Sequence, residues 1–340
     1  VATYREINGG SIQNRATNPS NVKEGEVWYN EDTGKLRYGK FTEGSPTSAS
    51  WATGGNLNTA RYLFGGDGTQ TAAVVAGGFV ASPDPATGST ELYNGSSWTE
   101  VNNLNLGRRE APVFGTQSAA VLVAGLDPPL ADVSNVEEWN GTSWTEVTNL
   151  PATRTRMSGT GIQTAGLVFN GQGPPGAAVN ATYLYDGTNW TTGSNVNSTV
   201  QNRGGLGTQT AALAVGGGGP VQPTLTSNTE SWNGSSWTEI TNINTARRRM
   251  GATGLQTAAI IYGGDTGPAG ANLTNTETWN GSAWTEIVDL ATARAGLARA
   301  GTSSLALAAG GGAPLLNNTE EFTGASVVPD SITATSIETS

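Results

Sequence analysis

The feature that most limits what this chain can fold into is a period of 46 or 47 residues. Trp98, Trp144, Trp190, Trp237 and Trp284 stand at that spacing, and Trp51 lies 47 residues before Trp98. In step with them, Gly-x-Gln-Thr recurs at Gly68-Thr69-Gln70-Thr71 and at residues 161–164, 207–210 and 254–257, with looser copies at 115–118 and 301–304. Each copy leads into a small-apolar run closing on glycine, as in Ala258-Ala259-Ile260-Ile261-Tyr262-Gly263-Gly264. Self-similarity at such a period marks a repeat architecture, in which one unit buries its apolar faces only against its neighbours.

Each period reads as four short strands. The first begins near Arg61 or Arg108, and the Gln-Thr turn leads into the second. A variable loop precedes the third, for example Thr90-Glu91-Leu92-Tyr93. Asn-Gly (Asn94-Gly95, Asn140-Gly141, Asn233-Gly234, Asn280-Gly281) or Asp186-Gly187 then turns the chain into the tryptophan strand. These dipeptides supply the positive φ angles of tight hairpins, and four antiparallel strands make one propeller blade. Six copies of the first three strands are followed by only five fourth strands. The missing one is found at Ser50-Trp51-Ala52-Thr53, where it completes the C-terminal blade and removes two open edges. The expected fold is therefore all-β, a six-bladed β-propeller over residues 48–324. An N-terminal attachment segment (1–47) precedes it and a Ser/Thr-rich tail (325–340) follows. That tail is expected to be disordered or to add a strand to a neighbouring subunit.

An Arg before the first strand, a Gly-Gly after the second and a Trp in the fourth resemble kelch repeats of the galactose-oxidase-type propeller. The Gly-Gly is kept at residues 77–78, 216–217, 263–264 and 310–311 and degenerates to Ala124-Gly125 and Asn170-Gly171. The copper chemistry of that family's oxidase needs histidine and cysteine, and this chain has neither, so no cofactor or metal is expected. Ahead of the repeats, Gly25-Glu26-Val27-Trp28-Tyr29-Asn30-Glu31-Asp32-Thr33-Gly34-Lys35-Leu36-Arg37-Tyr38 reads as a hairpin with an Asp-Thr-Gly turn. It resembles an element of tailed-bacteriophage fibre and other virion proteins. That resemblance implies a virion location, docking to other virion proteins through Trp28, Tyr29, Arg37 and Tyr38, and a homo-oligomer.

Five of the six repeats carry an arginine nine residues before the Gln position: Arg61, Arg108, Arg154, Arg247 and Arg294; the fourth has Val200. A ring of guanidiniums invites capture of anionic sugars or phosphates. Glutamates track them, however. Glu91, Glu137, Glu230 and Glu277 each stand 17 residues before the next arginine, or before Arg108, Arg154, Arg247 and Arg294 in turn. Tyr183 precedes Val200, and Glu320 is left for Arg61 around the closure. This predicts structural salt bridges between adjacent blades, with a loss of about 3–5 kcal/mol for Arg154→Ala. The tryptophans, once per blade, are expected to pack between blades.

A net charge of −10 supplies no field for nucleic acid, and no apolar run is long enough to enter a membrane. Without histidine or cysteine, Ser-His and Cys-His catalysis are excluded. Acids that break the repeat are few: Asp67, Asp84, Asp127, Asp132, Asp265 and Asp289. Function is expected in the loops between second and third strands, at 79–89, 126–135, 172–181, 218–228, 265–275 and 312–318, which share one face. The ligand-binding candidates there are Asp84, Asp127, Asp132, Gln172, Gln222, Asp265 and Asn272. The expected function is a non-enzymatic virion structural protein, a tail-fibre or appendage component whose loops bind a host-surface glycan or protein. The alternatives are a head-decoration protein, a secreted adhesin, which should carry an export signal unlike the start Val1-Ala2-Thr3-Tyr4-Arg5, and a glycan-active propeller enzyme.

Overall fold

The computed structural model describes residues 12–42, 48–81, 86–128, 131–219, 225–267, 270–312, 314–326 and 331–337. These contain strands, bridges and turns, and no helix long and apolar enough to cross a membrane. They form two compact units, Ala49–Gly324 and a smaller one combining Val1–Ser48 with Ala325–Ser340.

The larger unit is a β-propeller of six four-stranded antiparallel sheets. Blade 1 comprises Gly65–Thr69, Ala72–Ala76, Thr90–Tyr93 and Trp98–Val101. The first strands of blades 2 to 5 begin at Val113, Ser158, Gly204 and Gly251. Blade 6 runs through Ala298–Gly301, Leu305–Gly311 and Leu316–Thr323, and Ser50–Gly54 supplies its fourth strand with Trp51 opposite Phe322. First strands touch in succession, and that of blade 6 meets that of blade 1, so the ring closes.

Small residues on the second strands let the blades approach. Val74 and Ala76 of blade 1 pack with Val113, Leu122, Trp139 and Trp144 of blade 2 in one dry layer. The tryptophans also bond across the seam: Trp144 Nε1 donates to Thr90 Oγ1 at 2.9 Å, Trp98 to Thr319 at 3.0 Å and Trp237 to Thr182 at 3.1 Å. The Gly-x-Gln-Thr glutamine is a second clamp. Gln117 Nε2 donates to the carbonyls of Ala73 and Tyr93 in the preceding blade, at 3.1 and 2.5 Å, and Gln70 does the same to Ala306 and Phe322.

The hairpins before the tryptophan strands differ from the expected two-residue turns. Tyr93 pairs with Trp98, leaving a four-residue loop in which only Gly95 has positive φ. Asn94 instead accepts the N–H groups of Ser96 and Ser97 on Oδ1, at 3.0 and 2.9 Å. Asparagine is there as a side-chain acceptor that mimics a turn.

The arginine–glutamate pairs are real but run within a blade, a correction to the expected register. Arg61 pairs with Glu91 (2.7 Å), Arg108 with Glu137 (2.8 Å) and Arg294 with Glu320 (2.6 Å), and Arg247 pairs with Glu277. Their side chains are at most 3% exposed. Burial lowers the pKa of Arg61, and Glu91 opposes that shift. Each carboxylate is fully engaged: Glu91 Oε2 also accepts Asn58 N and Nδ2, both at 2.8 Å. The fourth blade does have its arginine, moved three residues on: Arg203 reaches Glu230 at 2.8 Å and fills the place that Val200 leaves. Arg154 is the exception. Tyr183 occupies the glutamate position of its blade, and Arg154 Nη1 donates to the Thr153 carbonyl instead.

What the arginine position does between blades, it does through the main chain. Gly78 N donates to Arg108 O at 2.9 Å, and the equivalent bond recurs at all six seams, including Gly311 to Arg61. Gly77 and Gly78 both have positive φ there, and a Cβ on Gly77 would lie 2.4 Å from Arg108 O. The Gly-Gly pair is thus fixed by close approach of the next blade.

The smaller unit is a four-stranded sheet in the order Gln13–Arg15, Val27–Asn30, Lys35–Thr42, Ser331–Ser336, parallel only in its first pair. Val27–Asn30 and Lys35–Thr42 form the expected hairpin, with Asn30 Oδ1 accepting Thr33 N at 2.9 Å. The C-terminal strand pairs with Lys35–Thr42 of its own chain, which supplies the partner expected from a neighbour. Trp28 is fully buried and so is not an exposed docking contact, whereas Tyr29 is exposed. Arg37 and Tyr38 are half-buried.

In denaturant titrations, Arg108→Ala and Arg203→Ala should each lose about 3–5 kcal/mol by stranding a buried carboxylate. Arg154→Ala should stay within about 1 kcal/mol of the parent; equal losses at Arg108 and Arg154 would contradict the pairing. Gln117→Ala, which orphans two carbonyls, should cost about 1–3 kcal/mol by the same measurement.

Candidate functional site

Two residues beyond each ring arginine, or beyond Val200, the chain reaches the mouth of the central channel. These positions are Leu63, Glu110, Arg156, Asn202, Arg249 and Gly296. All six lie in the left-handed region, with φ between 54° and 61°. Their main chains form a closed cycle: each N–H donates to the carbonyl of its counterpart in the preceding blade, from Glu110 to Leu63 (2.8 Å) round to Leu63 to Gly296 (2.7 Å). Five of the six bear a side chain at a backbone angle that costs roughly 1–2 kcal/mol outside glycine. The belt over-determines that angle, and strain held in this way is characteristic of binding sites.

The loops between second and third strands rise at the same end, because the residue after each ring arginine bridges the residue after each Gly-Gly position, as Arg248 bridges Asp265. Several expected residues converge there. Arg156 Nε pairs with Glu110 Oε2 at 2.8 Å, and Arg156 Nη1 donates to Gln172 Oε1 at 2.5 Å. Thr155 Oγ1 donates to the same Glu110 oxygen at 3.1 Å. Asp132 belongs to this group: burial raises its pKa, Arg156 opposes the rise and Glu110 adds to it. On the far side, Asp265 Oδ1 accepts Arg248 Nε at 2.9 Å and Gly267 N at 2.8 Å, while Oδ2 stands 3.6 Å from Arg249 Nη1. Burial pulls the Arg249 pKa down, with Asp265 opposing and Arg248 reinforcing. Asn272 Nδ2 donates to Gly312 O at 2.5 Å, and Tyr62, Arg249, Asp265 and Asn272 line a cleft of about 450 Å³.

Other expected residues fall elsewhere. Asp127 closes its own hairpin by accepting Ala131 N at 3.1 Å. Asp289 accepts Thr276 N at 3.1 Å as a local cap. Asp84 and Gln222 lie outside the described residues. Among the described residues no group of three or more acidic side chains is placed to hold a metal ion.

Inside the channel, Arg299 of the first strand of blade 6 reaches across to blade 3, where Nη2 donates to Gly159 O at 2.6 Å. It lines both the mouth cavity, of about 120 Å³, and a second cavity of about 140 Å³ at the other end, and so divides the channel. Asp67 borders the second cavity. Its oxygens accept Gly68 N (2.9 Å) and Gly115 N (3.1 Å); burial raises its pKa, and Arg299 counters the rise. Glu110, Arg156, Arg249 and Arg299 are the site residues that sequence reasoning passed over. A signal was present: two positions after the ring arginine the repeat reads Leu, Glu, Arg, Asn, Arg, Gly, a variable position inside an invariant frame. Arg299 and Asp67 are likewise the charged residues of the six first strands.

The architecture places the chain in the class of β-propeller proteins. No protein-family model matches the sequence, and no curated protein matches it either. Among solved structures, the chain is similar to the structure of YjhT, with a TM-score of 0.64 at 10% identity, covering 82% of this chain and 99% of that one. At that identity the likeness is one of fold.

Arg249→Gly tests whether the mouth residues are held for binding. Removing a left-handed side chain should leave the melting temperature equal to or above the parent's, since the relieved strain is about 1–2 kcal/mol and Asp265 keeps Arg248. A large fall in melting temperature would make Arg249 a structural brace.

Proposed function

We propose that the chain is a non-enzymatic recognition module of a bacteriophage particle, a tail-fibre or appendage component that presents the channel-mouth face to a host-surface glycan or protein. The observation that carries this reading is the contrast at the mouth. Six positions with one backbone geometry, locked in one hydrogen-bonded cycle, hold five residue types: leucine, glutamate, asparagine, glycine and, twice, arginine. A rigid frame with freely varied tips is the usual design of a binding surface. Tyr62 and Phe79, 5.1 Å apart and with Arg109 over the Phe79 ring, add an aromatic platform beside the polar cluster.

The virion context rests on the resemblance of residues 25–38 to phage fibre elements. The smaller unit, a four-stranded sheet compact in itself, is suited to an attachment role. Docking and self-association fall to its exposed side chains, Tyr29 and Phe41 among them. Electron cryo-microscopy of the native particle tests the reading. A propeller projecting from the tail or a fibre with its channel mouth outward is the expected result. A propeller lying flat on a capsid lattice, mouth covered, would make it a head-decoration protein instead.

A further inference from the structure

The six links that lead into the first strands share one backbone path but differ in bulk. One and two residues beyond the ring position they read Tyr62-Leu63, Arg109-Glu110, Thr155-Arg156, Gln201-Asn202, Arg248-Arg249 and Ala295-Gly296. Only the last pair lacks a large side chain, and beside it the mouth face opens into the cleft of about 450 Å³. Blade 5 contributes Arg249, Asp265 and Asn272 to its lining, blade 6 contributes Ala295 and Gly312, and the link of blade 1 contributes the half-buried Tyr62. Asp265 is only half engaged. Its Oδ1 accepts Arg248 Nε and Gly267 N at 2.9 and 2.8 Å. Its Oδ2 stands 3.6 Å from Arg249 Nη1, beyond hydrogen-bond range. Neither Oδ2 nor the two Nη atoms of Arg249 makes a hydrogen bond among the described residues, and, unlike Arg249 Nε, none of the three is sealed from solvent.

We propose that this cleft binds a neutral pyranose sugar, two adjacent hydroxyls of which bridge Asp265 and Arg249. One hydroxyl donates to Asp265 Oδ2 and its neighbour accepts from an Arg249 Nη atom, each hydroxyl being able to take either role. Oδ2 and Nη1, side by side at 3.6 Å, match the pitch of vicinal hydroxyls on a ring. The charges select against other ligands. An ammonium would meet Arg248 and Arg249, a carboxylate or phosphate would meet Asp265, and like charges in contact are disfavoured. Tyr62 and Ala295 supply apolar surface for the C–H groups of the sugar ring. The cleft falls within the range of about 300–1,000 Å³ of small-ligand sites and holds roughly fifteen waters at about 30 Å³ each, room for one or two sugar rings. This deepens the recognition reading and rests on it for which face meets the ligand.

Ligand-observed NMR titration of the full chain with the methyl pyranosides of D-glucose, D-galactose and D-mannose tests the site, with D-glucuronate and D-glucosamine as charged counterparts. At least one neutral glycoside is expected to bind saturably, and more tightly than glucuronate or glucosamine. Asp265→Asn should weaken it about tenfold, the loss of one charge-assisted hydrogen bond. Because Asp265 also holds Arg248, Ala295→Gln gives a second reading. It installs the residue that blade 4 carries as Gln201 at the same position, so it should melt with the parent and abolish binding by filling the cleft. Ile162→Ala, an exposed residue of blade 3, should bind as the parent does. No saturable binding of any neutral glycoside, or binding unchanged by Ala295→Gln, would overturn the cleft. Tighter binding of glucuronate or glucosamine would overturn the neutral ligand class. Neutral host glycans that bind despite both cleft substitutions would keep the recognition reading and remove it from this cleft. Cleft-dependent glycoside binding, in a protein whose channel mouth is covered on the particle, would spare the site and sink the virion role.

Discussion

The propeller depends on main-chain hydrogen bonds that close on themselves. One cycle joins the residues two beyond each ring arginine, and a second joins each Gly-Gly segment to the carbonyl at the next arginine position. Twelve bonds of this kind, all between neighbouring blades, require no side chain. They fix the distance and tilt of the sheets at the channel end, where no strand ladder crosses from blade to blade. The outer part of the seams is closed differently, by Trp–Thr bonds at three of them and by glutamine amides reaching carbonyls of the preceding blade at five. Neutral groups thus make most of the joints between blades, Arg156 to Glu110 at the mouth being the one salt bridge among the described residues that crosses a seam. The ring arginine–glutamate pairs brace each blade internally, tying the incoming link to the third strand through Asn58, Arg61 and Glu91. A buried ion pair adds little net stability over an apolar substitute, because desolvation offsets its attraction. Its contribution here is geometric, since a fully bonded carboxylate accepts one path of the link and no other.

Because the belts use only main chain, the side chains on them are free to differ. That is why Leu63, Glu110, Arg156, Asn202, Arg249 and Gly296 share φ angles within a few degrees and nothing else. A left-handed angle outside glycine would ordinarily select against bulk, and arginine at two of these positions runs against that preference. The belt bonds offset the cost, and the result is a set of long polar side chains with fixed origins around one opening.

The architecture was legible because repetition turns weak signals into strong ones. One Gly-x-Gln-Thr means little, whereas four copies and two looser ones in step with six tryptophans determine strand order, blade number and the role of Trp51 in closing the ring. Register across the ring was not legible. Glu91 is equally available to Arg61 and Arg108 in a one-dimensional reading, since every blade offers the same pair, and only the path of the link selects Arg61. The shift from Val200 to Arg203 was hidden for a similar reason: the guanidinium arrives at the same carboxylate from a position that other blades fill with apolar residues such as Met157 and Met250. At the site, Asp132, Gln172, Asp265 and Asn272 stood out because they lie where the sequence repeat fails, although Asp132 and Gln172 prove to be in strands. Glu110, Arg156 and Arg249 lie inside the regular frame, where attention to what repeats obscures what varies.

The seam between blades 3 and 4 shows how far the two layers of the design separate. Both departures from the Arg–Glu rule, Tyr183 and Val200, occur there, yet the belt still closes through Gly171 N to Val200 O at 3.4 Å, against 2.7 to 2.9 Å at the other five seams. Blade 3 also carries an added hairpin, Gln172–Gly173 with Ala177–Ala178, and Gln172 meets Arg156 of the mouth. Burial raises the carboxyl pKa of Asp132 in the polar group around Arg156, and Arg154, released from a glutamate, joins Arg156 in opposing the rise. Where the structural pair is absent, the arginine position has joined the variable surface. A repeat protein whose ring is held by its main chain can convert a brace into part of a recognition surface one blade at a time, without opening the ring.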